Sequence, residues 1–218
     1  MRSPGHRPHR LLAGIGLLWL CAGAMANERP VELQGQALIG ALRSGGYSLY
    51  MRHAATDWSV QDRVTGEGDW TSCDAQRMRP LSATGRATAR RVGEAMRALE
   101  IPVARVVASP YCRTRETAGL LGMGEVEVSD AVINLRVARY FGGRAAVIAT
   151  ARQLLSASPV AGGNTLVVAH GNVAREATPV YPDEAETVVF EADGRGGFRL
   201  VGRLKPSDWY SLAGIPAP

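Results

Sequence analysis

The chain has 218 residues, 46% of them hydrophobic, and a formal net charge of +5, which is enough apolar material for one α/β domain with a buried core. Loss of a leader that holds three arginines and no acidic residue would lower this charge to +2. So small a charge does not indicate a nucleic-acid partner.

The N-terminus has the features of a secretory signal peptide. Three arginines precede an apolar stretch at residues 11–24, and a small-x-small cleavage site occupies residues 24–26. The stretch is shorter than the roughly 20 residues that span a bilayer, which disfavours a retained anchor. A lipoprotein cut at Cys21 is disfavoured because a bulky leucine precedes it. We predict a cleaved signal peptide over residues 1–26, a single domain over residues 27–218, and a periplasmic or secreted location without stable membrane insertion.

Beyond the leader, segments with helical periodicity alternate with short apolar runs that are typical of buried strands. We predict helices over residues 31–45, 82–100, 111–122, 144–157 and 172–177. We predict strands over residues 47–51, 104–109 and 165–170, and an antiparallel pair within residues 186–204. This order indicates a three-layer α/β/α sandwich with a mostly parallel, mixed central sheet. Residues 54–80 are polar and lack a period, and loops of this length are usually functional or disordered.

Signal cleavage would leave few histidines and cysteines. The two remaining cysteines, Cys73 and Cys112, predict a disulfide in an exported protein, with two buried thiols as the alternative. The two remaining histidines are His53 and His170.

Three of the predicted strands run directly into polar residues: Arg52 and His53 after the first, Arg113 shortly after the second, and His170 at the end of the third. If these strands are parallel, their carboxyl ends meet at one edge of the sheet, where ligands collect in α/β folds. Arginine forks bind phosphate oxygens, and a neutral imidazole can attack phosphorus. No cofactor and no metal ion are expected, because no ligand set is visible.

Together these residues resemble the histidine phosphatase superfamily, the phosphoglycerate-mutase-like group. Residues 52–54 correspond to the family's Arg-His-Gly signature, with Ala54 in place of glycine. The segment SPYCRTRETA corresponds to its Ser-Pro-x-x-Arg signature followed by Thr-Ala, and LVVAHGN corresponds to its late histidine. The resemblance covers most of residues 46–175.

The resemblance implies a phosphoglycerate-mutase-like fold and a phosphomonoester hydrolase that works through phosphohistidine. It makes His53 the nucleophile, and Arg52, Arg113 and His170 the phosphate pocket. The substrate would be a phosphorylated small molecule or envelope component, and the oligomeric state is left open. A catalytically weak pseudo-phosphatase that binds a phospho-ligand is the alternative.

The proton donor is not given by the resemblance. The family often has a glutamate in the stretch that corresponds to residues 132–143, which here contains no acid. The remaining candidates are Asp57, Asp62, Asp130, Glu184 and Glu186. Our working assignment is Glu184, because it precedes a strand near the His170 segment. Asp57 is plausible as the acid because it is close in sequence to His53, and it is also assigned to substrate binding.

The excursion over residues 54–80 is expected to cover the site. Its aromatic residues, Trp58 and Trp70, could stack on a sugar or base, and its arginines, Arg63 and Arg77, could bind a second anion. A lid that is held by packing alone is the alternative. A disulfide would tie this excursion to the residue that precedes Arg113.

Overall fold

The computed structural model describes Met1 and residues 32–218. Apart from Met1, the predicted signal peptide lies outside the described residues, as does its cleavage site. None of the helices in the described part of the chain is long and apolar enough to cross a membrane.

Residues 32–218 form six strands and six α-helices. The strands are β1 (Ser48–Arg52), β2 (Val103–Ala108), β3 (Val126–Val128), β4 (Asn164–Ala169), β5 (Thr187–Ala192) and β6 (Phe198–Leu204). The helices are α1 (Gly35–Ser44), α2 (Ala83–Ala98), α3 (Cys112–Leu121), α4 (Arg144–Ser156), α5 (Gly171–Ala177) and α6 (Pro206–Ala213). Three short 3₁₀ helices cover Asp69–Thr71, Asp130–Val132 and Leu135–Phe141.

The six strands form one sheet in the order β3-β2-β4-β1-β5-β6. Strands β3, β2, β4 and β1 are parallel to one another, whereas β5 is antiparallel to both β1 and β6. This confirms the predicted mixed, mostly parallel sheet. Arg52 at the end of β1 pairs with Ala169 at the end of β4, and Ala108 at the end of β2 pairs with Val168. The carboxyl ends of these three strands therefore lie side by side.

Both faces of the sheet are buried, because apolar side chains occupy consecutive strand positions that point in opposite directions. In β1, Leu49 and Met51 pack in a core with helices α1, α2, α3 and α6. Tyr50 lies in the core on the opposite face, with α4, α5 and the 3₁₀ helices at residues 130–141. The result is the predicted three-layer α/β/α sandwich.

Helix α2 illustrates how local sequence sets the packing of one layer. Its first turn is capped by the Ser82 hydroxyl, which accepts a hydrogen bond from the Gly85 amide at 2.9 Å. Farther along, Gly93 lies so close to α3 that a Cβ atom there would overlap the backbone carbonyl of Leu121. The glycine therefore allows close contact between the two helices.

An aromatic cluster and a disulfide help to attach the excursion between β1 and α2 to the domain. Trp70 is buried and packs against Tyr140 and Phe141, with ring centroids 5.1 and 5.3 Å apart. The predicted disulfide between Cys73 and Cys112 is confirmed, and it joins the excursion to the first residue of α3.

Several elements differ from the sequence predictions. Helix α1 begins at Gly35, whereas residues 32–34 precede the helix. Strand β3, helix α6 and the three 3₁₀ helices were not predicted, because each is short and lacks a clear apolar period. The predicted strands and longer helices otherwise occupy the expected segments.

Candidate active site

The four residues named from the strand ends line one cavity of about 170 Å³. Arg52 and His53 come from the end of β1, His170 from the end of β4, and Arg113 from the first turn of α3, which follows β2. Parallel pairing of the three strands brings them together. We refer to this space as the histidine cavity.

His53 is 3% exposed, and its Nδ1 lies 2.9 Å from the backbone oxygen of Ala54. A carbonyl only accepts hydrogen bonds, so Nδ1 carries the proton and the neutral ring has its lone pair on Nε2. Burial holds the pKa of His53 well below its usual value, and the positive charge of Arg113 lowers this pKa further. The ring is therefore neutral at pH 7, the form that can act as a nucleophile.

His170 is equally enclosed. Its Nε2 lies 2.9 Å from the Ser109 hydroxyl, and its Nδ1 is buried without a hydrogen-bond partner in residues 32–218. The Tyr50 hydroxyl donates to the His170 backbone oxygen at 2.7 Å and thereby fixes the backbone of this residue. The pKa of His170 is well below normal because of burial and, secondarily, the charge of Arg113.

The two arginines of the expected phosphate pocket each lie near a carboxylate. Arg113 is buried, and its Nη1 donates to Oδ1 of Asp62 at 3.0 Å. Arg52 places its Nη2 3.6 Å from Oε1 of Glu184, while its Nη1 donates to the Pro182 backbone oxygen at 3.2 Å. Both guanidinium groups thus reach the same cavity from different elements.

Trp58, an aromatic residue that was expected to stack on a ligand, lines the histidine cavity. Several other lining residues were not predicted: Gln61 and Arg79 from the excursion, Asn134 and Arg136 from the start of the 3₁₀ helix Leu135–Phe141, Asn172 from the first turn of α5, and Tyr181. No periodicity marks such loop positions. The signal that could have found Asn134 and Arg136 is their place in the stretch that the family resemblance had already selected.

The family-wide sequence profile described as histidine phosphatase superfamily (branch 1) matches residues 49–156. The chain belongs to the histidine phosphatase superfamily. The matched segment contains Arg52, His53 and Arg113, and His170 follows it in the chain. None of the curated proteins matches this sequence.

Solved structures share the fold of this histidine phosphatase family member at low identity. A mycobacterial glucosyl-3-phosphoglycerate phosphatase is 16% identical, with a TM-score of 0.51 over 73% of this chain and 99% of its own. A phosphoserine phosphatase from Entamoeba histolytica is 12% identical, with a TM-score of 0.51 over 74% and 98%. The protein histidine phosphatase SixA, complexed with tungstate, is 15% identical, with a TM-score of 0.49 over 74% and 98%.

Of the five candidate carboxylates, Asp62 is the one that lines the histidine cavity. Its side chain is 4% exposed, and its Oδ1 accepts hydrogen bonds from Arg113 and from the Arg79 amide, both at 3.0 Å. Oε1 of Glu184 lies 3.6 Å from Nη2 of Arg52 and accepts a hydrogen bond from the Thr56 hydroxyl at 3.4 Å. This carboxylate contacts a cavity residue without lining the cavity itself.

The other three carboxylates lie elsewhere. Asp57 is exposed and does not line the histidine cavity, where a substrate would bind. It accepts hydrogen bonds from the Ser59 hydroxyl and amide, which lower its pKa. Asp130 is exposed at the start of a 3₁₀ helix. Glu186 is buried against Arg203 and lines a separate cavity of about 530 Å³.

Ala54, the departure from the family's glycine, does not crowd the histidine cavity. Its side chain is fully buried beside Leu81 and Ala89, and its amide donates to the Thr117 hydroxyl at 3.1 Å. The methyl group therefore contributes to the packing beneath the cavity.

Proposed function

We propose that this protein hydrolyses phosphomonoesters through a phosphohistidine on His53. The observation that carries the proposal is a buried, neutral His53 whose hydrogen bond to Ala54 leaves the lone pair on Nε2. That lone pair belongs to a ring that lines the same cavity as four arginines, which suit an anionic phosphoryl group.

In this mechanism Nε2 of His53 attacks phosphorus and the bond to the ester oxygen breaks. Arg52 and Arg113 hold the phosphoryl oxygens, and they stabilise the charge that spreads over these oxygens in the transition state. His170 contributes a further hydrogen bond from the end of the neighbouring strand β4.

We assign the proton transfers to Asp62 in preference to Glu184, because Asp62 lines the cavity. In the first step Asp62 acts as the general acid. Asp62 then gives its proton to the leaving oxygen. In the second step it takes a proton from water, whose oxygen attacks phosphorus as the bond to His53 breaks and phosphate leaves.

For the substrate we propose a phosphorylated small molecule or envelope component, encountered in the periplasm or outside the cell. The leader sequence supports this location, and the Cys73–Cys112 disulfide suits an oxidising compartment.

The test is His53→Ala, assayed with p-nitrophenyl phosphate and checked for an unchanged thermal unfolding profile. We expect turnover by the native protein, loss of at least about a thousandfold in the variant, and an acid-labile phosphoryl label on native protein alone. Full turnover by the variant would refute the nucleophile assignment. Binding of phosphate by the native protein without any turnover would favour the pseudo-phosphatase.

A further inference from the structure

The histidine cavity holds more positive charge than a phosphoryl group requires. Four of its lining residues are arginines, namely Arg52, Arg79, Arg113 and Arg136, whereas Asp62 is its one acidic lining residue. A phosphoryl group carries at most two negative charges, so the charges of this cavity suit a more acidic ligand.

Two of the four arginines already have a carboxylate partner. Arg113 pairs with Asp62, and Arg52 lies near Glu184. Arg79 and Arg136 have no carboxylate within 4.0 Å anywhere in residues 32–218. These two guanidinium groups are therefore available to a ligand.

Arg79 is held in place although its charge is poorly compensated. Its guanidinium carbon lies 3.8 Å from the centre of the Trp58 ring, and its Nε is buried without a hydrogen-bond partner in the described chain. Burial lowers the pKa of Arg79, and Arg113 and Arg136 lower it further, whereas Asp62 and Glu184 offset part of this effect. A half-buried cation near other arginines is stabilised when an anion binds beside it.

Arg136 is exposed and lines the same cavity from a different element. It lies in the 3₁₀ helix Leu135–Phe141, which Asn134 caps by accepting the Arg136 amide at 3.0 Å. The side-chain oxygen of Asn134 also accepts a hydrogen bond from Nδ2 of Asn172 at 2.9 Å. The side-chain oxygen of Asn172, Oδ1, is buried without a hydrogen-bond partner in residues 32–218. Hydrogen bonds thus hold the wall that carries Arg136 in place, and the unpartnered Oδ1 of Asn172 could accept a hydrogen bond from a ligand hydroxyl but could not bind an anion.

We propose that Arg79 and Arg136 form a second anion subsite, and that the substrate carries another acidic group, a carboxylate or a second phosphate, close to its scissile phosphate. The inference rests on the proposed function for the identity of the reacting phosphate. The subsite itself is defined by binding, so it can be measured without turnover.

The experiment measures binding to the full chain carrying His53→Ala by calorimetry. One ligand pair is phosphoglycolate and 2-hydroxyethyl phosphate, which differ by a carboxylate. The other is 1,3-propanediol bisphosphate and 3-hydroxypropyl phosphate, which differ by a phosphate. We expect the more acidic member of at least one pair to bind about tenfold more tightly or better, the effect of one charged hydrogen bond. The pair that shows the preference identifies the second group.

Substitution identifies the side chains responsible. When Arg79→Gln and Arg136→Gln are both added to the His53→Ala parent, the ratio of dissociation constants between the less acidic and the more acidic ligand of that pair should fall below about threefold. Arg63→Gln and Arg139→Gln are the matched controls, from the same loop and the same 3₁₀ helix but outside the cavity, and the ratio should persist in both. Ratios near one for both pairs in the parent, or a ratio that survives the double substitution, would overturn the subsite.

These results are separable from the proposed function. A native protein that hydrolyses no ester yet shows the preference refutes the enzyme and supports the subsite. A native protein that hydrolyses both members of each pair, and whose His53→Ala variant binds them equally, supports the enzyme and refutes the subsite.

Discussion

Asp62 and Arg113 form a buried ion pair, with Oδ1 of Asp62 3.0 Å from Nη1 of Arg113. The Asp62 side chain is 4% exposed and the Arg113 side chain is 2% exposed. The two residues are 51 positions apart, one in the excursion after β1 and the other in the first turn of α3. The same carboxylate oxygen accepts the Arg79 amide. A single buried carboxylate thus connects two walls of the histidine cavity.

The first prediction concerns this carboxylate. Asp62→Asn keeps an oxygen that can accept from Arg113 but removes the transferable proton. We expect kcat to fall about a hundredfold with 2-hydroxyethyl phosphate, whose alkoxide leaving group needs a proton, and by less than about tenfold with p-nitrophenyl phosphate. Steady-state kinetics with both substrates measure the difference.

Glu184→Gln is the comparison, because Glu184 also contacts a cavity arginine. Its loss of kcat should not depend on the leaving group. A larger selective loss in Glu184→Gln than in Asp62→Asn would reassign the proton donor to Glu184.

The second prediction concerns the two buried histidines. Their pKa values lie well below normal in the folded protein, whereas an unfolded chain takes up protons near pH 6.5. Below that pH the unfolded state binds more protons, so the free energy of unfolding decreases as pH falls. We expect a loss of about 1.4 kcal/mol for each histidine between pH 7.5 and 5.5, measured by urea denaturation.

The variant His53→Gln should show about half of this pH dependence. An unfolding free energy that is constant from pH 7.5 to 5.5 would contradict the prediction, because it would mean that the folded histidines protonate normally.

The third prediction concerns the disulfide, which joins residues 39 positions apart. Replacing Cys73 and Cys112 together by serine removes a constraint on the unfolded chain, worth about 4 kcal/mol in the chain-entropy model. The same change also breaks the covalent link between the start of α3 and the excursion, which contains Asp62. We expect a lower urea midpoint and a lower kcat/KM.

Thiol titration of the denatured, unreduced protein should find no free thiol over residues 32–218. Native protein treated with a reductant is the control and should resemble the double-serine variant. Unchanged stability in both samples would contradict the prediction.

The fourth prediction concerns the contact between α2 and α3. Gly93→Ala would push a methyl group against the Leu121 carbonyl, and we expect a loss of about 3 kcal/mol in the free energy of unfolding. Gly119→Ala is the matched control, because Gly119 lies in α3 with no atom near the added methyl group. It should stabilise the protein by up to about 1 kcal/mol through helix propensity. Equal effects of the two substitutions would contradict the packing argument.

Much of the fold was predictable because the buried strands are continuous apolar runs and the longer helices have clear periods. Strand β3 has only three residues, and α6 begins at Pro206 after a long strand, so neither produces a pattern of useful length. The disulfide was predictable from the number of cysteines in an exported chain.

The candidate site was predictable only where side chains follow strands. Arg52, His53 and His170 come directly after apolar runs, and parallel pairing determines where those runs end relative to one another. The positions of Arg79 and Arg136 depend instead on the excursion and on the 3₁₀ helix Leu135–Phe141, which are held by the packing of Trp70 against Tyr140 and Phe141 and by the disulfide. Such long-range packing leaves no periodic trace in the sequence.

The ion pair between Asp62 and Arg113 also means that an anion entering the histidine cavity has a competitor within the protein. An incoming anion must displace a carboxylate that is tethered beside the arginine and therefore has a high effective concentration. A monovalent anion that contacts Arg113 alone would only exchange one ionic contact for another, so we expect it to compete poorly. In the proposed enzyme, a phosphoryl dianion succeeds because it also engages Arg52 and His170, so the protein screens anions by valence before any chemistry begins.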